Sequence, residues 1–256
     1  MIKDIVYKRF ILPIKAELQY LKDKNMYLNS TCNESEFRYD RSNRQPIIFD
    51  RYKQAGNIDE HYFIQDIVMA NKIIQNVYES KTTLKHYDIG SRVDGFIAHL
   101  LSASINVSMI DIRPLPICIE NLEFLCADAT DLKGIPDASI ESISSLHAIE
   151  HFGLGRYGDD IDPNSWKKVL DSIVRVTKIG GMIYISVPIG SVQKLCFNAH
   201  RIFAINTIPD YLSGRAELVW CAHIKDYKVM KVNTELLSNY DVDGSYACGL
   251  YIFRKI

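Results

Sequence analysis

Three side chains in His147-Ala-Ile-Glu150-His151 can carry a proton or hold a cation. Histidine is the side chain whose ordinary pKa lies nearest neutrality, and a carboxylate close in sequence can orient its ring. Placed against a hydroxyl, such a ring removes the proton that makes the oxygen a poor nucleophile, an effect worth about 100- to 10,000-fold. His147 is the first choice for that base and His151 the second, with Glu150 orienting either ring. Glu150 and His151 could also join a divalent ion such as magnesium, which lowers the pKa of a bound hydroxyl. Read alone, H-x-x-E-H is the inverzincin zinc pattern, which needs two histidines four apart on one face of a long helix. Here the motif closes an apolar run, and the glycines of His-Phe-Gly-Leu-Gly follow at once. A plainer role for both histidines is a hydrogen bond to backbone. Asp159, Asp160 and Asp162 could add ligands, but a solvated acidic loop capping the helix at Pro163 is the better account of them.

The second chemical feature is the stretch YDIGSRVDG, residues 87–95. An apolar run, 84–89, ends in a glycine turn, and a helical pattern follows through Phe96, Ile97, Leu100 and Leu101. Strand, tight turn and helix build the nucleotide crevice of a doubly wound sheet. A second apolar run closes on Asp111, where an acid can hold a ribose diol. A P-loop would need Lys and Ser or Thr after Gly95; Phe96 and Ile97 stand there. A dinucleotide turn would need G-x-G-x-x-G, but Arg92 and Asp94 interrupt the glycines, and Asp94 places negative charge where pyrophosphate would sit. S-adenosylmethionine carries a sulfonium cation and no phosphate, and suits an acidic, glycine-poor turn better.

These groups need a scaffold. After a polar, irregular stretch that includes NSTCNESEFRYDRSNRQP, Asp59 is positioned to cap a helix with apolar residues at helical spacing from Tyr62 to Val77. The pattern then predicts strands at 84–89, 105–110, 122–127, 140–145 and 182–187, and helices at 93–103 and 164–177, with Gly180-Gly181 ending the second. Alternation of this kind implies a parallel sheet. Two late apolar runs, 216–224 and 247–253, read as an antiparallel pair closing it. The division is residues 1–57, an N-terminal helical and irregular extension, and residues 58–256, the domain carrying the site.

The chain has 256 residues and a net charge of −1, so it has no global basic field for nucleic acid. No apolar run reaches the roughly 20 residues of a membrane span. The N-terminal stretch lacks a small-residue cleavage site; its alternating lysines and apolar residues leave room for peripheral membrane association, although a packed helix is the simpler reading. Six scattered cysteines with no C-x-x-C pair point to a reducing cytoplasm.

Asp88 and Gly90, Asp111, Asp128 in CADATDL, SSLHAIEH at 144–151 and KIGGMIYISVP at 178–188 together resemble class I S-adenosylmethionine-dependent methyltransferases, over residues 60 to 256. The resemblance implies an α/β, doubly wound, mostly parallel seven-stranded sheet (the Rossmann-like methyltransferase fold) with an antiparallel C-terminal strand pair. It implies S-adenosylmethionine as cofactor, with Asp88, Gly90, Ser91 and Arg92 near the methionine end and Asp111 and Ile112 at the ribose. Asp128 and Ala129 would meet the adenine, Ser145 and Leu146 would floor the crevice, and His61, Tyr62 and Gln65 would lid it. Asn198, His200 and Arg201 fall where acceptor-binding inserts sit, and Arg201 could grip a phosphate or carboxylate in a fork. The first turn departs from the family's D-x-G-x-G-x-G at Arg92 and Asp94. Within the superfamily, HYFIQDIVMA, YDIGSRVDG, MIDIRPL, NAHRIF and CGLYIFRK look like a bacterial family of methyltransferase-like proteins often encoded near surface-polysaccharide genes. That resemblance implies O-methylation of a sugar hydroxyl in a surface polysaccharide or its precursor, and a glycan or small-molecule acceptor. Nucleic-acid amino-methylation is disfavoured, because Ser-Leu-His-Ala stands where D/N-P-P-Y/F is expected. Two other readings stay open: a non-catalytic binding or scaffold protein on the same fold, and a nicotinamide-dependent oxidoreductase.

Overall fold

β-Branched and aromatic runs broken by glycine turns, alternating with amphipathic segments, should pair as parallel strands with helices on both faces. The computed structural model describes residues 7–30, 41–43, 46–52, 58, 60–80, 85–116, 118–240, 242, 244 and 246–256. The chain divides into two units, Met1–Ile58 and Asp59–Ile256. Much of the expected loop over 29–46, Asp59 and Leu84 lie outside the described residues.

In the first unit, helix α1 (Leu12–Ser30) has Pro13 in its first turn, where a missing N–H costs little. Gln19 Nε2 donates to Asp23 Oδ1 at 2.8 Å, and Arg51 pairs with Asp23 at 2.6 Å. Among the described residues no helix is long and apolar enough to cross a membrane.

The second unit holds an eight-stranded sheet and a separate two-stranded one. Its strands are β1 (Lys85–Ile89), β2 (Asn106–Asp111), β3 (Leu122–Cys126), β4 (Ile140–Leu146), β5 (Thr177–Ile189), β6 (Lys194–Cys196), β7 (His200–Ile202), β8 (Ala216–Lys225), β9 (Lys228–Lys231) and β10 (Ala247–Lys255). The large sheet runs β3-β2-β1-β4-β5-β10-β8-β9. Its first five strands are parallel, and β10 lies antiparallel between β5 and β8. The expected late antiparallel pair is therefore present. The count is eight instead of seven, because the chain turns at Asp226-Tyr227 and adds β9 at the edge.

The helices are α2 (Glu60–Ser80), α3 (Ala98–Ser102), α4 (Ser165–Val176) and α5 (Thr207–Leu212). Helix α2 buries Met69, Ala70 and Ile73 beside Phe96, Leu100 and Val107 in one core cluster. Helix α4 buries Val169, Leu170 and Ile173 in another, with Ile143, Ile183 and Ile185. The sheet is thus doubly wound. Helix α4 ends at Val176, before the glycines expected to stop it. Gly180 and Gly181 instead lie in β5, where φ at Gly180 is +79° and a Cβ on Gly181 would come 2.8 Å from Thr177 Cγ2. Strand order reverses direction at β1 and β4, and ligands of such sheets bind beyond the carboxyl ends of the strands at that switch.

Candidate functional site

The carboxyl end of β1 is built around Asp88, which is fully buried. Its Oδ1 accepts from Ser91 Oγ at 3.0 Å and from Ser144 Oγ, and its Oδ2 accepts from the Ser91 amide at 3.1 Å. Behind it, Ser142 Oγ donates to His86 Nδ1 and His86 Nε2 donates to Ser144 Oγ, each at 2.8 Å, which passes the Ser144 proton on to Asp88. Such a polarised chain favours a charge at its end. Burial lowers the His86 pKa to about 3, so the ring stays neutral. Burial raises Asp88 to about 6 against those hydrogen bonds, leaving it largely ionised at neutral pH. Asp88 and Ser91 therefore shape the turn from within, and the direct methionine contact expected of Asp88 is taken by serines. Gly90 has φ +77°, and a Cβ there would stand 3.0 Å from Ala148 Cβ. Arg92 is exposed on the outside of the turn.

Sequence reasoning missed Asp66, which reaches this turn from α2. A Cβ at Gly95 would fall 2.5 Å from Asp66 Oδ2, and the Phe96 amide donates to the Asp66 carboxylate. Burial raises the Asp66 pKa. Two carboxylates thus sit at the turn, one occupying the helix start where a phosphate would be held. The neighbouring Gln65 is buried and turned inward: Nε2 donates to Asp66 Oδ1 at 3.1 Å, and Oε1 accepts from Ser186 Oγ at 2.5 Å. Its expected place on the ligand side of a lid is corrected to a link between α2 and β5.

At the end of β4, Ser145 and Leu146 are buried, and Ser145 Oγ donates to Ile89 O at 3.4 Å. His147 adopts φ +49°, a conformation that costs about 1–3 kcal/mol in a residue with a Cβ. Its amide donates to Ser186 O and Ser186 Oγ, both at 3.0 Å. His147 Nδ1 lies 2.9 Å from Glu150 Oε1, both side chains nearly fully buried. Burial opposes charge on the ring, but Cys248 and the Glu150 carboxylate beside it together outweigh that and hold the His147 pKa well above the usual value. The Cys248 thiol beside the ring points to Gln65 Oε1 at 3.7 Å, and His147 Nε2 and Glu150 Oε2 have no hydrogen-bond partner among the described residues. His151 Nδ1 donates to Ala199 O at 2.7 Å, its Nε2 lies 3.7 Å from Glu150 Oε1, and burial lowers its pKa.

Only a single 3₁₀ turn, Ile149–His151, follows the strand, so the two histidines do not share a helix face as the zinc pattern requires. Among the described residues no three His, Cys, Asp or Glu side chains converge as a metal site would need. Asp159 accepts from the Gly153 and Tyr157 amides, and Asp162 pairs with Lys168 at 2.8 Å, so both shape their loop.

Asp111 ends β2, but Arg113 holds it: Nε to Oδ1 at 2.9 Å and Nη2 to Oδ2 at 2.6 Å, with the Arg113 amide on Oδ1 at 2.8 Å. Burial works against the charge, yet these bonds keep the Asp111 pKa below the usual carboxylate range. Ile112 is exposed next to it, Asp128 caps a turn through the Thr130 amide at 2.8 Å, and Ala129 is buried.

Arg201 does not offer a fork to a ligand. Its guanidinium donates to Phe152 O at 2.6 Å, Glu150 O at 3.3 Å and Pro163 O at 3.4 Å, clamping the segment after β4. Asn198 is exposed at the β6–β7 turn. His200 belongs to a run of rings. His61 stacks on Tyr246 at 5.2 Å and faces His147 at 6.3 Å, Tyr62 lies 5.2 Å from His147, and His200 lies 5.9 Å from Tyr246 and 6.4 Å from His151. Tyr246, just before β10, was not anticipated.

The family described as Caenorhabditis protein of unknown function, DUF268, matches residues 135–243, a span that includes the His147–His151 segment and all of β5. No curated protein matches the chain. Among solved structures, a putative sarcosine dimethylglycine methyltransferase from Galdieria sulphuraria is 13% identical, with TM-score 0.52, covering 73% of this chain and 84% of that one. The N-methyltransferase NodS from Bradyrhizobium japonicum WM9, solved with S-adenosyl-L-homocysteine, is 13% identical, with TM-score 0.51 and coverage of 77% and 89%. The [4+2]-cyclase SpnF is 12% identical, with TM-score 0.50 and coverage of 72% and 81%. The chain therefore has the Rossmann-like fold of methyltransferases, a fold that also carries other chemistry.

Proposed function

We propose that the chain is an S-adenosylmethionine-dependent methyltransferase acting on a hydroxyl of a small-molecule or glycan acceptor. The observation that carries this reading is the sign of the crevice: the glycine turn at the switch point is occupied by Asp66 and backed by Asp88. A buried and a half-buried carboxylate at one turn suit a cation and repel a pyrophosphate, which weighs against a nicotinamide-dependent oxidoreductase. Gly90 and Asp66 would hold the methionine end with Asp88 setting the turn behind them, Asp111 and Ile112 the ribose, and Asp128 with Ala129 the adenine, over the floor of Ser145 and Leu146. Bound there, the sulfonium supplies an electrophilic methyl group.

The chain's own contribution is positioning and proton removal. His147 carries its proton at Nδ1 toward Glu150 when neutral, which leaves Nε2 to take the acceptor's proton. The Glu150 pairing makes the ring more basic, so the neutral form gains population as pH rises above the ordinary histidine value. His151, whose pKa is lowered, is neutral at physiological pH and is the second candidate base. The glycan and surface-polysaccharide context rests on sequence resemblance alone. The free cysteines Cys118, Cys126, Cys196, Cys221 and Cys248 fit a cytoplasmic location.

One observation favours a non-catalytic scaffold instead: Arg113 already occupies the acid that should take the ribose. Isothermal titration with S-adenosylmethionine separates the two. Saturable heat at micromolar ligand supports the methyltransferase reading, and absence of heat at high micromolar ligand with an intact fold supports the scaffold.

A further inference from the structure

The planes of His147, His61 and Tyr246 are nearly parallel, 20° apart for the first pair and 14° for the second. They come from three separate segments: the end of β4, the first turn of α2 and the residues before β10. Tyr62 closes one side, and His200 stands beyond Tyr246. At the inner end of the set lie two buried atoms that lack a hydrogen-bond partner among the described residues, His147 Nε2 and Glu150 Oε2. Buried polar atoms are costly to leave unpaired, so a ligand group that bonds to them is favoured.

We propose that the acceptor is a planar aromatic ring bearing an ionisable hydroxyl, held against the ring of Tyr246 with its oxygen at the His147–Glu150 pair. The proposal rests on the methyl-transfer reading above and narrows its acceptor. Stacked rings meet at about 3.5–4.0 Å between carbon atoms, a spacing a flat ring keeps over its whole face and a thicker sugar chair does not. His61 lies 5.2 Å from Tyr246 and 6.3 Å from His147, so one acceptor can touch Tyr246 and reach the histidine pair. Tyr246 is 40% exposed and lies outside the helices and strands, so part of its ring is open to a ligand.

Acidity points the same way. A phenol, with pKa about 10, gives its proton to an imidazole far more readily than an alcohol with a pKa near that of water, about 16. In the step, the acceptor O–H bond breaks and its proton passes to His147. The phenolate oxygen forms the new O–C bond as the C–S bond of the sulfonium breaks. That electron pair remains on sulfur, leaving a neutral thioether.

The test is a spectrophotometric titration of the full chain with 4-nitrophenol, with and without S-adenosyl-L-homocysteine, alongside Tyr246→Ala and Tyr246→Phe. Saturable binding with growth of the phenolate band is expected. Tyr246→Phe should bind within threefold of the parent and Tyr246→Ala at least tenfold more weakly, while thermal unfolding of both stays at the parent's temperature. Absence of saturable binding, equal affinity in Tyr246→Ala, or displacement of the probe by methyl glucoside would overturn the proposal. Calorimetry with S-adenosyl-L-homocysteine is read separately. Tyr246-dependent probe binding without cofactor binding would sustain the aromatic site and remove methyl transfer.

Discussion

Replacing Glu150 with Gln keeps the shape of the His147 pair and removes its charge. In the parent the two groups are 2.9 Å apart and both nearly fully enclosed. A hydrogen bond to a charged group contributes about 1.5–3 kcal/mol, and one pKa unit corresponds to about 1.4 kcal/mol. The His147 titration in Glu150→Gln should therefore fall by about 1–2 units. Stability follows from linkage. In the parent, the raised His147 pKa gives stability that is full below about pH 6.5 and is lost as pH rises through the folded-state value. In the variant the smaller elevation leaves less of this stabilisation. The difference between the two proteins should widen toward acid. The assay is an NMR titration of the histidine ring nuclei, with urea unfolding at pH 5 and pH 8. An unaltered His147 midpoint in Glu150→Gln would refute the claim that this pair holds the proton.

Four further outcomes are expected. Asp88→Asn should stabilise the fold by about 1–3 kcal/mol at pH 8: a carboxylate raised to about 6 costs stability as pH rises through the window from about 4 to 6. Urea unfolding that shows no gain would contradict the buried charge. Asp111→Ala should weaken S-adenosyl-L-homocysteine binding by about 1–3 kcal/mol in calorimetry, and an unchanged dissociation constant would remove Asp111 from the ribose. His147→Ala should lower turnover of a phenolic acceptor at least about a hundredfold with cofactor affinity intact; parental turnover would exclude this histidine as base. Gly95→Ala should cost about 1–3 kcal/mol by driving Asp66 from the turn, and parental stability would show that the carboxylate is not seated there.

Local patterning made much of this fold readable. Period-two and continuous apolar runs marked β1, β2, β4, β5, β8 and β10, and the paired stops at Asp88-Gly90 and at His147 marked the ends of neighbouring strands. What stayed hidden depended on side chains meeting across long sequence separations. Nothing around Asp66 in the pattern of α2 reports that it will meet Gly95, because helical periodicity says which face is inward and not what lies opposite. Tyr246 is a lone aromatic in a polar stretch. Arg201 looked like a ligand fork because its type and place suited one, and only the carbonyls of Glu150, Phe152 and Pro163 show its clamping role. Arg113 was the readable omission. An arginine two residues beyond Asp111 was in plain view in MIDIRPL, and its ion pair alters how the ribose site must work.

The position of β10 has a consequence for synthesis. Strands β5 and β8 share no edge until residues 247–255 slide between them. During translation the parallel half can assemble while β8 and β9 wait as an unattached hairpin. Ribosome-bound chains arrested before residue 247 should therefore show a folded parallel half beside an open, protease-sensitive β8–β9 arm.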